Sequence, residues 1–270
     1  MIDLFVLSVY SKLMNQTMRI HWVPFQGFDF TEIPPWRLTD TLRKNFLSFF
    51  KLPPQIQLED NPVSAENIFD QYLGGLTSPY AFYEKYLEPR VPFEIYNLAV
   101  AETKQEFGFH VPDFISDTPY IVLHLRRTDK LRGVCETQIN LNPMDTLENL
   151  DACTKKRILE AKEKGYTTFF LASDSPVTKQ EYKDYIESLG LHVIEPENTY
   201  NLIESYYDTW IMKSAALILV STKYSTYSLS CALIYDRPLL NVLTEEVYRK
   251  YKFEHHVTLL QEVPPLRSAT

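Results

Sequence analysis

The alternation of hydrophobic and polar positions is clearest in the second half of the chain. Tyr120–Leu125 (YIVLHL) is a short apolar, β-branched run after Thr118–Pro119 and reads as a buried strand. Thr167–Ala172 (TTFFLA), His192–Ile194 after Gly190, Leu217–Val220 (LILV) and Leu239–Val242 (LLNV) after Pro238 read as four more. Between them, Ala152–Lys164, Thr178–Leu189, Asn201–Ala215 and Thr226–Tyr235 carry a helical pattern. Strands alternating with helices of this length predict βαβ units and a parallel sheet. With right-handed crossovers they make a Rossmann-like domain.

The first half is less regular. Asp3–Met14 reads as a helix and Met18–Val23 (MRIHWV) as a strand. A loop-rich stretch with Pro34–Pro35, Pro53–Pro54 and Pro62 follows, with helices expected at Arg37–Phe50 and Ala65–Tyr72. Phe93–Phe107 reads as a helix ending at Gly108, and His110–Pro119 as a linker, which divides the chain into domains 1–112 and 113–270. A Rossmann-like domain normally opens with a strand and a Gly-containing turn. This chain opens in a helix, so the N-terminal lobe is expected to be abbreviated, or its first strand to lie before Met1.

Composition narrows the function classes. The net charge is −8 over 270 residues, and no Lys/Arg cluster exceeds Lys155, Lys156 and Arg157, which argues against a nucleic-acid partner. The three cysteines (Cys135, Cys153, Cys231) form neither a zinc pattern nor a disulfide framework and fit a reducing compartment. There is no signal-peptide pattern, and the longest apolar run, Ala215 to Val220, is too short to span a bilayer. The expectation is a soluble, cytoplasmic protein. Glycine is scarce, at 7 residues, so Gly-rich phosphate loops are not the expected binding device.

The strongest chemical signal is His124-Leu125-Arg126-Arg127-Thr128-Asp129-Lys130, at the carboxyl end of the Tyr120–Leu125 strand. Ligands of open α/β sheets bind outside the carboxyl ends of the strands. Two adjacent Arg with an Asp and a Lys make an anion site whose planar donors match phosphate oxygens. A solvated charged turn with an internal Arg–Asp pair is the other reading of the same residues.

HLRRTDK resembles the H-x-R-R-x-D motif of the α1,6-fucosyltransferases, their bacterial nodulation relatives and the protein O-fucosyltransferases. Ala101–Gly108 (AETKQEFG) is similar to the helix that precedes that strand in the family. Phe169–Ser175 (FFLASDS) resembles the family's Y-V-A-T/S-D strand end. Tyr207–Ala216 (YDTWIMKSAA) is similar to its D-x-x-x-L-S-x-A-D helix, and Leu219–Cys231 (LVSTKYSTYSLSC) to its L-V-x-T-x-S-S turn from strand to helix. These landmarks fall in the family's order.

The resemblance implies an α/β fold of the GT-B-like kind, with two Rossmann-like lobes facing a cleft. Residues 1–112 would be the acceptor-side lobe and 113–270 the nucleotide-sugar lobe. Arg126 and Arg127 would hold the nucleotide diphosphate. Arg127, expected as an exposed strand-end side chain, would neutralise the β-phosphate as it leaves, with Lys130 as a helper. His124 would line the same strand end, and Asp174 would serve the base or ribose. Ser225 and Thr226 would present a helix N-terminus to phosphate, and Asp208 would support the site. Each has a structural reading as well: His124 as a hydrogen-bonded core histidine, Asp174 as a cap for the helix after Pro176, Ser225 and Thr226 as an N-cap, and Asp208 as a cap or pair within its helix.

One position departs from the family. A Glu often lies four residues beyond the Lys; here that position is Val134, and the nearest acid is Glu136. The general base is therefore open between Asp129 and Glu136. No two Asp are spaced D-x-D, so no metal or other cofactor is expected. The expected activity is an inverting, metal-independent transfer from a nucleotide sugar, GDP-fucose favoured, to a glycan hydroxyl. The alternatives are another donor such as UDP-xylose, and a non-catalytic nucleotide- or sugar-binding module.

Overall fold

The computed structural model describes residues 2–15, 17–21, 48–54, 56–59, 83, 87, 90–127, 147–222 and 225–243. The chain falls into two compact units, Met1–Pro112 and Asp113–Thr270.

In the first unit the described elements are α1 (Ile2–Met14), β1 (Met18–His21), β2 (Phe50–Lys51), β3 (Ile56–Glu59), α2 (Phe93–Glu106) and β4 (Gly108–Phe109). β1 pairs in parallel with β3, Met18 opposite Ile56, and β2 pairs antiparallel with β4, Phe50 opposite Phe109. α1 packs on α2 through Phe5 against Phe107, with ring centroids 5.5 Å apart. Lys12 reaches Glu106 at 2.5 Å and Glu102 at 3.2 Å across the same contact. α2 stops one residue earlier than the sequence pattern predicts because Phe107 turns extended (φ −75°, ψ 129°) and buries its ring. Phe50, expected at a helix end, is a strand residue of β2. The rest of that expected helix up to residue 47, the helix expected at Ala65–Tyr72, and residues 22–23 of the first strand lie outside the described residues.

The second unit contains β5 (Tyr120–Leu125), α3 (Leu147–Glu163), β6 (Thr168–Ser173), α4 (Pro176–Ser188), β7 (His192–Val193), α5 (Glu204–Lys213), β8 (Leu217–Ser221), α6 (Thr226–Tyr235) and β9 (Leu239–Asn241). The five strands form one sheet in the order β7-β6-β5-β8-β9, every pair parallel. This is the doubly wound parallel sheet that the alternating pattern predicts.

Strand alternation decides which side chain meets which helix. The odd positions of β5, Ile121, Leu123 and Leu125, join Phe169, Leu171, Leu217 and Leu219 in a core with Ile158 and Ala161 of α3 and Tyr182 and Ile186 of α4. The even positions face α5 and α6. The Tyr120 hydroxyl donates to the Ile211 carbonyl at 2.6 Å, and the His124 ring lies edge-on to Tyr227. With both faces covered, β5 is buried at every residue, which explains its continuous apolar run.

The helix starts that shift most from the sequence pattern are those of α3 and α5. α3 begins at Leu147, five residues before the expected start at Ala152; its first turn carries Glu148, favourable at a helix N-terminus, and buries Leu150. α5 begins at Glu204 rather than Asn201, because Asn201 is left-handed (φ 51°) and Ile203 is extended.

Candidate functional site

The chain runs outward from β5 to β6 and β7, then returns to place β8 on the other side of β5. The carboxyl ends of β5 and β8 are therefore the topological switch point, where a doubly wound sheet leaves a crevice for ligand. Arg126 and Arg127 follow β5, and Ser225 and Thr226 open α6 just after β8.

Alternation continues past the strand end and separates the two arginines. Arg127 has the parity of Leu123 and Leu125, and its side chain enters the α3 side. Its Nη1 donates to the Ser221 carbonyl at 2.5 Å, and its Nη2 to Asp151 Oδ1 and to Ser221 Oγ, both at 2.8 Å. Ser221 Oγ also lies 2.6 Å from Thr154 Oγ1, and Asp151 Oδ1 accepts from the Tyr182 hydroxyl at 2.7 Å. Arg127 is only 7% exposed. The expectation of an exposed strand-end Arg127 is thus overturned, and its two terminal nitrogens are both engaged inside the fold.

Arg126 has the parity of His124, whose ring meets Ser228 and Tyr227 of α6. Arg126 is half-buried, and among charged neighbours it acts most strongly on His124. His124 is itself buried, with Nδ1 3.0 Å from Ser228 Oγ. Burial first, and then the Arg126 charge, lower its pKa to about 4. A neutral imidazole at physiological pH contributes no positive charge to an anion. Its geometry is that of the hydrogen-bonded core histidine.

Asp174, just past β6, is exposed, and its Oδ1 accepts the Arg127 backbone N–H at 2.8 Å. It does not cap the next helix. That role belongs to Ser175, whose Oγ accepts the Thr178 N–H at 3.3 Å. Ser225 stands at the N-cap of α6 with extended backbone, yet its hydroxyl makes no capping bond. It is 4% exposed, and its Oγ has no hydrogen-bond partner. A buried hydroxyl without a partner is uncommon and marks a place where a ligand or water completes the bonding.

Buried atoms without a hydrogen bond also occur at Arg127 Nε and at Asp208. Asp208 is 7% exposed, with no hydrogen bond to Oδ1. Burial raises its pKa from 3.8 to about 7, with Lys179 opposing and Glu204 reinforcing the shift. It does not cap α5, whose N-cap is Ile203. Its folded pKa lies above the ordinary value, so folding favours the neutral acid. The stability this contributes is complete below about pH 4 and is lost as pH rises through about 7. Asp208→Asn should therefore gain stability relative to the parent chain as pH is raised from 4 to 8, measured by urea unfolding. A stability difference independent of pH would contradict the raised pKa of this buried carboxyl.

Along β6 and β7, a cleft of about 470 Å³ opens between α4, the segment after β7 and α5. Phe170, Lys179, Glu195, Glu204 and Tyr207 are among its walls. The Lys179 ammonium sits 5.8 Å from the Phe170 ring centroid, a cation–π contact.

Of the expected site residues, the second unit gathers His124, Arg126, Arg127, Ser225 and Thr226 at one strand-end edge, with Asp174 next to them. Asp129, Lys130 and Glu136 lie outside the described residues, and so does Cys135. Among the described residues no group of three or more His, Cys, Asp or Glu could hold a metal ion, and no helix is long and apolar enough to cross a membrane. Asp151 and Ser221 had no place in the sequence reading. Asp151 precedes the helical pattern that starts at Ala152, and Ser221 reads as part of a turn.

No protein-family model matches the chain, and no characterised protein matches it in sequence. Among solved structures it is similar to POFUT1 in complex with GDP-fucose, at 14% identity and TM-score 0.40, over 83% of this chain and 72% of that one. It is also similar to the NodZ alpha-1,6-fucosyltransferase soaked with GDP-fucose, at 13% identity and TM-score 0.45, over 88% of this chain and 89% of that one.

Proposed function

We propose that the chain is a glycosyltransferase of the fucosyltransferase-like kind, and that the crevice at the ends of β5 and β8 binds the diphosphate of its nucleotide-sugar donor. What supports this reading is that Arg126 follows β5 while the N-terminus of α6 follows the neighbouring strand β8, where the Ser225 hydroxyl is buried and has no partner. A planar guanidinium on one side and a helix N-terminus with a spare hydroxyl on the other suit phosphate oxygens. No acidic residue stands in the first turn of α6 to oppose an anion.

In this reading Arg126 and the α6 backbone N–H groups stabilise the negative charge that grows on the departing diphosphate. Arg127 acts from behind, holding the strand ends. Lys130 is a helper, and Asp129 or Glu136 takes the acceptor proton. The nucleoside extends along the sheet edge, past Asp174 toward the cleft walled by Lys179 and Tyr207. Residues 113–270 form the donor lobe and 1–112 the acceptor lobe. The sugar leaves with inversion in a single displacement onto a glycan hydroxyl. GDP-fucose is the favoured donor on the strength of the motif resemblance, with UDP-xylose as the alternative.

The test is a thermal-shift panel of GDP-fucose, GDP-mannose, UDP-xylose, UDP-glucose and UDP-galactose. A donor present at 100 times its Kd stabilises by about 2.7 kcal/mol. A shift with a GDP-sugar and none with UDP-sugars supports GDP-fucose; the reverse transfers the reading to a UDP-sugar. No shift with any of them sinks the donor site. Transfer of a radiolabelled sugar from the binding donor should persist in excess EDTA, because the chain has no D-x-D pair to hold a divalent ion. Loss of transfer with chelator, restored by Mn²⁺, would overturn the metal-free reading. Binding without transfer to any glycan would leave a nucleotide-sugar binding module.

A further inference from the structure

The network behind the crevice contains a half-buried carboxylate with no direct role in donor binding. Asp151, in the first turns of α3, accepts Arg127 Nη2 at 2.8 Å and the Tyr182 hydroxyl at 2.7 Å on the same oxygen. One turn on, Thr154 contacts Ser221 Oγ, which is also bonded to Arg127 Nη2. Arg127 thereby joins three strand ends. It belongs to the end of β5, it holds both the carbonyl and the hydroxyl of Ser221 at the end of β8, and its backbone N–H holds Asp174 beyond β6. Among the described residues bonded to the guanidinium, Asp151 is the one that carries charge.

We propose that Asp151 is a positioning residue for the anion crevice. By pairing with the inward-turned Arg127 it fixes the ends of β5, β6 and β8, so that Arg126 and the α6 N-terminus stand at the spacing a diphosphate requires. This rests on the reading of the crevice as a diphosphate site. The physical case is that a buried ion pair is weak support for stability, since apolar side chains of similar volume often serve a core as well. A rigid polar network is, however, suited to holding neighbouring groups within the tolerance that an anion site needs. The two arginines divide the work by strand parity. Arg126 faces the ligand side, and Arg127 anchors the backbone from which Arg126 projects. Without the Asp151 charge, the Arg127 guanidinium keeps only neutral hydrogen-bond partners among the described residues, and its hold on the three ends loosens.

The test compares Asp151→Asn with Tyr182→Phe. The second removes the other hydrogen bond to the same carboxylate but leaves the ion pair. Two quantities are read well below each variant's Tm. The first is the Kd for GDP relative to that for guanosine, by titration calorimetry. The second is hydrogen exchange of the Arg127 backbone amide, which requires no ligand. In Asp151→Asn the preference for GDP over guanosine should fall at least about tenfold, the scale of one charged hydrogen bond, and the Arg127 amide should exchange at least about tenfold faster. Tyr182→Phe should lower Tm but leave both quantities within about threefold of the parent. Equal weakening of GDP and guanosine in Asp151→Asn, or a protected Arg127 amide, would overturn the proposal by reducing Asp151 to a general stabiliser. If Asp151→Asn does not fold, Asp151→Glu should show an intermediate loss of both quantities, and no loss in that variant overturns the proposal as well. A parent chain that binds no GDP or UDP would sink the functional reading instead, while the amide exchange would still judge the role of Asp151.

Discussion

Arg126→Ala is expected to lose sugar transfer by about 10²–10³-fold, the usual cost of removing one preorganised charge partner from a transition state. The fold should survive. Arg126 is half-buried at the end of β5 and is not among the residues of the hydrophobic core. Substitutions of this kind usually change stability by about 0.5 kcal/mol or less. Arg126→Lys should recover little, because an ammonium cannot present two parallel N–H donors to phosphate oxygens. The same change has a second signature. Arg126 is the charge that most lowers the His124 pKa, so its removal should raise that pKa from about 4. A His124 titration followed by NMR would confirm that the two side chains share a face of the sheet. Transfer near the parent level in a folded Arg126→Ala variant would end the case for this crevice as the reaction site.

Arg127→Ala is expected to behave quite differently, although the two residues are adjacent. Its loss strips the Ser221 carbonyl of the Nη1 donor and takes the ion-pair partner from the Asp151 carboxylate, which keeps its bond from the Tyr182 hydroxyl. Breaking a fully buried ion pair costs about 3–5 kcal/mol. Asp151 retains 35% of its side-chain surface in water, so a loss of about 2–3 kcal/mol is expected here. Urea unfolding measures it directly. The expected result is a lower midpoint at unchanged slope, together with impaired transfer. A loss below about 0.5 kcal/mol would mean that the buried network does not hold the strand ends.

The contrast between these two residues shows how far the sequence can be read. The apolar runs at Tyr120–Leu125, Thr167–Ala172 and Leu217–Val220 report burial on both faces, which parallel strands impose, so the sheet of the second unit was legible. The HLRRTDK segment was legible as a strand-end site because its charges follow one of these runs. What a pair of arginines does is set by side-chain direction. Period-two alternation already carried that signal: His124 and Arg126 share one parity, Leu125 and Arg127 the other. Asp151 was hidden for another reason. Its helix begins at Leu147, before the periodic pattern becomes visible, and its partners lie 24 and 31 residues away in sequence. The orphan atoms of Ser225 and Asp208 could not be seen at all from sequence, since they depend on what neighbouring elements fail to supply.

The account stands or falls on whether the ends of β5 and β8 bind a diphosphate. Titration calorimetry of GDP and UDP into the parent chain and into Arg126→Ala and Ser225→Ala tests this most directly. One of the two nucleotides should bind the parent chain. Its affinity should fall at least about tenfold in Arg126→Ala and measurably in Ser225→Ala, and it should weaken with added salt as a charge-dominated contact does. Binding that is the same in all three proteins would place the nucleotide elsewhere and contradict the account.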